Sequence, residues 1–157
     1  MTIFNFLFRK SNTECPRCLG KGFVDLDDIR RLNKVLKWTP APCAYCLGSG
    51  KVATEMLSKV PVDYTYLTID LPESEMDKIK EGDEETLEKG RIHELFLDDL
   101  IKYIEQQYLN NKMDAESIAD LYLSTKDETA LFSLERKNLI QYIEKIIQLK
   151  DHNAGTK

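Results

Sequence analysis

The second half of the chain alternates apolar and polar residues with the period of an α-helix. From Arg91 to Asn110 the apolar residues form a wide stripe along one face. The members of that stripe are Ile92, Leu95, Phe96, Leu100, Tyr103, Ile104 and Tyr108. Asp114 is a suitable N-cap for a shorter helix, which contains Ile118, Leu121 and Tyr122.

A third helical pattern runs from about Leu131 to Lys150. Its apolar residues are Leu134, Leu139, Tyr142, Ile143, Ile146 and Ile147. The three helices together predict a mainly α-helical antiparallel bundle over residues 91–150. The polar residues 151–157 that follow predict a disordered tail.

The patterns between residues 53 and 90 are weaker. Residues 60–69 are rich in β-branched and aromatic residues with partial alternation, which predicts an extended arm or a single strand. Residues 72–90 are acidic and contain few large apolar groups, which favours a solvated linker or a marginal helix. Their spacing does not match a calcium-binding loop.

A shorter helical pattern lies nearer the start of the chain. Aspartates at positions 25, 27 and 28 are candidate caps for a helix over residues 28–38. Its apolar positions are Ile29, Leu32, Val35 and Leu36, and its basic positions are Arg30, Arg31, Lys34 and Lys37. The following Thr-Pro-Ala-Pro sequence predicts the end of the helix. Trp38 precedes this stop and is either a core residue or part of an exposed recognition surface.

All four cysteines of the chain belong to two copies of one motif that flank this helix. Cys15, Cys18, Gly20 and Gly22 form the first C-x-x-C-x-G-x-G sequence, and Cys43, Cys46, Gly48 and Gly50 form the second. Two C-x-x-C pairs are the usual ligand set of a closed, tetrahedral structural zinc site. The glycines can adopt positive φ, which lets backbone N–H groups turn toward the thiolates. We therefore predict one structural Zn²⁺, with iron, a redox dithiol and disulfides as the alternatives.

The first ten residues bear on where the protein is located. Ile3 to Phe8 is a short apolar run, followed by Arg9 and Lys10, without the basic start or the cleavage site of a secretory signal. No run of the sequence is long and apolar enough for a membrane span. We expect a cytoplasmic protein, in which reduced thiols favour metal binding over disulfides. The apolar segment itself is expected to pack on the helical body or, alternatively, to contact a membrane interface.

The charge of the chain is distributed unevenly. The net charge of the chain is −5. Residues 1–52 carry nine Lys/Arg and four Asp/Glu, whereas the other 105 residues carry 13 Lys/Arg and 23 Asp/Glu. A basic metal-binding module is therefore expected to precede an acidic body. The predicted organisation is an apolar segment (1–10), a small zinc-stabilised hairpin module with an inserted helix (11–52), an arm and acidic linker (53–90), the helical domain (91–150) and the tail.

The tandem motif resembles the cysteine-rich zinc domain of DnaJ-type co-chaperones. The resemblance covers residues 15–50 and implies a hairpin-rich module in which the four cysteines hold the metal and the four glycines form the turns. DnaJ proteins normally have four such repeats, and this chain has two. A J domain also needs a His-Pro-Asp sequence, which neither His93 nor His152 begins. The resemblance thus implies a DnaJ-like finger without the J-domain route to stimulating a heat-shock ATPase.

Two classes of function fit these features. The first is a protein-binding adaptor or accessory chaperone, whose zinc orders an exposed surface. Its candidate surface residues are Leu19, Phe23, Arg30, Arg31, Trp38, Tyr45 and Leu47. The alternative is nucleic-acid binding by the basic segment 17–37, because cations interleaved with aromatic rings can contact phosphates and bases. An enzyme is disfavoured, since four thiolates leave a zinc ion no open position.

Overall fold

A computed structural model describes residues 11–126 and 134–155 of the chain. The predicted apolar segment 1–10 and the expected start of the last helix at residue 131 lie outside the described residues. The chain divides into two compact units, Met1–Glu94 and Leu95–Lys157. Among the described residues, no helix is both long enough and apolar enough to cross a membrane.

Two short antiparallel strand pairs frame the cysteine motifs in the first unit. Strand β1 (Asn12–Glu14) pairs with β4 (Lys51–Ala53), and β2 (Phe23–Val24) pairs with β3 (Ala41–Pro42). The first cysteine pair lies between β1 and β2, and the second lies between β3 and β4. Each motif is therefore held at both ends by strand pairing.

The helix between the two motifs is shorter than the apolar pattern predicts. Helix α1 (Leu26–Arg31) begins with a capping box. The Asp25 side chain accepts from the Asp28 N–H, and the Asp28 side chain accepts from the Asp25 N–H. It ends in a Schellman motif: Asn33 has φ +57°, and the Lys34 N–H donates to the Ile29 carbonyl at 2.8 Å. The expected helix to residue 38 is wrong in length because the left-handed Asn33 stops it about two turns early.

Residues 54–71 fold as turns instead of an extended arm or strand. Helix α2 (Met56–Lys59) comes first, and two turns follow it. In the first turn the Tyr64 N–H donates to the Pro61 carbonyl, and in the second the Leu67 N–H donates to the Tyr64 carbonyl. Spacing by three residues matches these turns and places Tyr64 and Leu67 in the interior. No strand of the described residues lies between 54 and 71. The β-branched and aromatic residues of the segment therefore serve burial in the core instead of strand formation.

The acidic residues that follow form two helices. Helix α3 (Glu73–Glu81) ends at Gly82, which has φ +83°, and helix α4 (Glu84–Leu109) starts directly afterwards. Ile79 and Leu87 are the buried anchors of this region. Of the two alternatives expected here, the solvated linker is wrong and the helix is right, because two well-spaced apolar residues are enough to hold an acidic helix on a neighbouring core.

One hydrophobic core runs through the first unit and contains the metal-binding motifs. It combines the four cysteines with residues from the turns and helices that follow. Its other buried members are Val24, Ile29, Trp38, Ala44, Tyr45, Val52, Met56, Val60, Tyr64, Leu67, Ile79 and Leu87. The cysteine motifs are therefore part of a larger core and do not form an isolated finger.

The second unit contains the end of α4 with helices α5 (Ala115–Ser124) and α6 (Arg136–Ala154). The predicted cap is confirmed, since the Asp114 side chain accepts from the Ser117 N–H at 2.8 Å. Helix α6 continues four residues beyond Lys150, so the disordered tail predicted from residue 151 is wrong through Ala154. The Tyr108 hydroxyl donates to Asp151 in this last turn and helps to order it.

Candidate metal centre

The four cysteine sulfurs lie together in the interior of the first unit. All are within 4.8 Å of one another, and all four residues are buried. The Sγ atoms of Cys15 and Cys43 are 3.8 Å apart, and those of Cys18 and Cys46 are 3.7 Å apart. A tetrahedron with Zn–S bonds of about 2.3 Å has edges of about 3.8 Å. The cluster therefore has the size that a tetrahedral metal such as zinc requires.

The backbone around the cluster repeats itself across the two motifs. The Gly22 N–H donates to the Cys18 sulfur and the Gly50 N–H to the Cys46 sulfur, both at 3.3 Å. Cys15 N–H donates to the Gly50 carbonyl at 2.8 Å, and Cys43 N–H donates to the Gly22 carbonyl at 3.0 Å. Each motif thus donates one backbone hydrogen bond to the other, and backbone N–H groups donate to two of the four sulfurs.

Close backbone approach explains two of the four glycines. A Cβ on Gly22 would lie 2.2 Å from the Gly48 carbonyl oxygen, and a Cβ on Gly50 would lie 2.2 Å from the Gly20 oxygen. All four glycines have positive φ, between 74° and 78°. The turn positions expected from the sequence therefore serve a second purpose at Gly22 and Gly50, which is to let the two motifs touch.

The electrostatics of the cluster favour a bound cation. The contact with Cys43 lowers the pKa of Cys15 to about 5, and the same contact together with burial raises the pKa of Cys43. Burial raises the pKa of Cys18 to about 11. A cluster in which only part of the thiols ionise readily needs a positive ion to hold four thiolates. The donor set, its size and its burial all fit such an ion.

Arg17 lies inside the first motif and is almost fully buried, with 2% of its surface exposed. Its Nε donates to the Val62 carbonyl at 2.8 Å, and its two terminal nitrogens donate to Leu67 at 2.8 Å and Tyr64 at 3.0 Å. Burial lowers the pKa of Arg17, while the nearby thiolates of Cys43 and Cys15 oppose that shift. Arg17 therefore ties the metal-binding motif to the turns at 62–67 and places a cation near the sulfurs.

Two aromatic residues of the candidate surface enclose this guanidinium. Its central carbon lies 4.7 Å from the centre of the Trp38 ring and 5.0 Å from the centre of the Tyr45 ring. Trp38 is 9% exposed and Tyr45 1% exposed, and the Tyr45 hydroxyl donates to the Val60 carbonyl at 2.7 Å. The prediction that Trp38 and Tyr45 belong to an exposed binding surface is therefore wrong, and for Trp38 the core alternative is right. Both residues pack against Arg17.

The basic residues around the site are mostly engaged by the protein itself. Lys21 pairs with Asp25 at 2.5 Å and with Asp28 at 2.7 Å, while Arg31 pairs with Asp28 at 3.1 Å. Arg30 contacts Asp27 at 3.2 Å on the surface.

Lys34 is buried as well, which the sequence does not signal. Its Nζ donates to the Thr65 hydroxyl at 2.8 Å and to the Glu94 carboxylate at 3.0 Å, and Lys37 pairs with the same carboxylate. Of the six basic residues in the segment 17–37, Arg17 and Lys34 therefore stabilise the interior. Sequence spacing places Lys34 on a polar helix face, and only the early helix stop turns it inward.

The remaining candidate surface residues are exposed. Leu19 and Leu47 follow the second cysteine of each motif and are 51% and 56% exposed. Both have left-handed backbones, with φ of 49° and 51°. Phe23 is 45% exposed on β2. Each leucine thus exposes about half of its surface directly after the second, buried cysteine of its motif.

Comparison with known proteins adds no family assignment. No protein-family model, curated protein or solved structure matches the chain. The four-cysteine cluster agrees with a zinc-finger-like site. The resemblance to the DnaJ-type domain accordingly rests on the two C-x-x-C-x-G-x-G repeats alone.

Proposed function

We propose that the first unit is a protein-binding module built around one structural Zn²⁺, with Cys15, Cys18, Cys43 and Cys46 as its ligands. Zinc suits a closed set of four thiolates and has no preferred geometry of its own to impose. The ion would hold together two motifs that each lack a core. Four protein ligands leave no position for a substrate or water, so the proposed role is not enzymatic. The thiols must stay reduced, as they would in the cytoplasm.

The observation that carries the binding role is the matched pair of exposed leucines. A bulky residue in the left-handed region costs about 1–2 kcal/mol, and glycine would avoid that cost at both positions. Leu19 and Leu47 accept it twice, at equivalent places, and expose about half of each side chain. Two exposed apolar groups on a rigid support can bury their surface against a protein partner without first having to be ordered. This supports an adaptor or DnaJ-like accessory chaperone acting without a J domain.

The alternative of nucleic-acid binding has less support. Arg17 and Lys34 are buried, and the other four cations of the basic segment 17–37 pair with acidic side chains. Phosphate binding depends on accessible cations that can displace counterions. Trp38 and Tyr45, which would stack on bases, lie in the core.

The test replaces both leucines with glycine. Leu19→Gly with Leu47→Gly removes the exposed groups and relieves the backbone, so the metal content should stay at one zinc per chain. Affinity purification of the full chain, with and without nuclease, should recover protein partners that the double variant loses. The matched control is Leu95→Ala, which shortens another exposed leucine (64% exposed). Alanine is used there because glycine would destabilise helix α4. Partners retained by the double variant, or recovered only through nucleic acid, would refute the proposal.

A further inference from the structure

A cleft of about 220 Å³ opens beside the metal centre in the first unit. Arg17 and Ala44, one inner residue from each C-x-x-C sequence, line it. Its interior also includes the buried side chains of Val24, Trp38 and Leu67. Because those residues come from three remote segments, the cleft exists only when the cysteine motifs and the turns at 62–67 are joined.

The size and walls of the cleft limit what it can hold. Pockets for whole drug-sized ligands measure about 300–1,000 Å³, so this one is suited to a single side chain. Strand β3 forms one wall, but Pro42, one of its two residues, carries no N–H group. An extended peptide therefore finds few backbone donors along this edge, and a ligand must be recognised through its side chains.

The rim of the cleft adds a charge preference. Asp70 is exposed at the rim and has no ion pair among the described residues. The two cations of the lining are engaged elsewhere: Arg17 donates to three carbonyls, and Lys37 pairs with Glu94. Ile69, 39% exposed, extends the apolar wall next to Asp70. The mouth thus presents the apolar Ile69 beside the exposed carboxylate of Asp70, whereas the two cations of the lining are largely buried.

We propose that this cleft receives an apolar side chain of a protein partner that is followed by a lysine or arginine. The apolar group would fill the space against Trp38, and its basic neighbour would face Asp70. An anchor in a small, well-formed pocket is the usual centre of a protein interface. The proposal rests on the protein-binding function above and specifies the chemistry of the partner.

The sole tryptophan of the chain makes the test direct. Acetyl-Gly-Ser-Leu-Lys-Ser-Gly-amide is titrated into the zinc-loaded full chain while Trp38 fluorescence and amide chemical shifts are recorded. Replacing leucine by serine in the peptide should weaken binding about tenfold or more, because the buried apolar group is lost. Replacing lysine by glutamate should weaken it about threefold, as expected for an ion pair at a solvated rim.

Reversing the charge at position 70 then tests whether Asp70 is the group that prefers the lysine of the peptide. Asp70→Lys should reverse the preference, so that the Leu-Glu peptide binds about threefold more tightly than the Leu-Lys peptide. Asp77→Lys makes the same charge change at another exposed aspartate, outside the cleft, and should leave the preference as it was. Ile69→Ser should weaken both peptides by removing part of the wall.

The outcomes separate this proposal from the wider function. Absence of Leu-dependent shifts at Trp38, or a preference unchanged by Asp70→Lys, would overturn the cleft proposal even if zinc-dependent partners are recovered. Tighter binding of the Leu-Glu peptide to the unaltered chain would also overturn it. Zinc-dependent partners that are lost with the two leucines but not with Ile69→Ser would leave the function standing and reject the cleft.

Discussion

The guanidinium of Arg17 lies against the Trp38 ring, 4.7 Å from its centre, and joins the first cysteine motif to the turns that follow the second. Three backbone carbonyls between residues 62 and 67 accept from this one side chain. A flat group with several fixed donors is needed for that arrangement. The metal motifs and the residues after them are therefore coupled through Arg17 as well as through the shared core.

Arg17→Lys should lower the free energy of unfolding of the first unit by about 3 kcal/mol. A lysine places one ammonium where three directed donors are needed, so buried carbonyls are left without partners. Urea unfolding followed by Trp38 fluorescence measures the loss. Arg30→Lys, at an exposed ion pair with Asp27, is the control and should change stability by less than about 0.5 kcal/mol. Equal effects of the two variants would contradict the role of Arg17.

Metal removal should unfold more than the two motifs. The cysteines share one core with Met56, Leu67 and Ile79, so a chelator or Cys43→Ser should expose amides throughout residues 54–90 as well as residues 15–50. Hydrogen exchange measures this segment by segment. Helices α5 and α6 belong to the second unit and serve as the internal control, with protection expected to persist. Loss of protection confined to residues 15–50 would argue against a shared core.

The motif spacing was sufficient to predict the cluster, because two C-x-x-C pairs restrict where four sulfurs can lie. Helical periodicity likewise predicted α5 and its Asp114 cap. The fate of Arg17 and Lys34 was not predictable in this way, since a sequence shows charge but not the carbonyls or carboxylates that will receive it. Asn33 illustrates the same limit: the apolar pattern continues past it, while its left-handed backbone ends the helix.

The glycines allow the cost of backbone strain to be measured separately from the cost of a steric clash. Gly22 and Gly48 have nearly the same φ, 74° and 78°, but a Cβ at Gly22 would meet a carbonyl oxygen at 2.2 Å whereas one at Gly48 meets nothing nearer than 3.9 Å. Gly48→Ala should therefore cost about 1–2 kcal/mol from backbone strain alone. Gly22→Ala should cost clearly more and weaken zinc binding, measured by chelator competition. Similar losses would mean that the two motifs do not approach as closely as described.

Glu94 should make the first unit sensitive to acid. Burial would raise its pKa, but hydrogen bonds from Lys37, Thr65 and Lys34 outweigh that effect and lower the pKa of Glu94 to about 2, from 4.5. A lowered folded-state pKa contributes stability that is fully present above about pH 4.5 and is lost as the pH falls toward 2. The contribution is on the order of 2 kcal/mol, allowing for the partial exposure of the carboxylate.

Glu94→Gln isolates this contribution, because thiolate protonation and zinc release at low pH affect both proteins alike. Unfolding free energies of the two proteins, measured from pH 7 to pH 3, should differ most above pH 4.5 and converge below it. Glu81→Gln alters an exposed glutamate on α3 and should change the free energy of unfolding at pH 7 by less than about 0.5 kcal/mol. A Glu94→Gln difference that stays constant down to pH 3 would mean that the carboxylate is not held by Lys34 and Lys37, and that the early end of α1 does not turn Lys34 toward it.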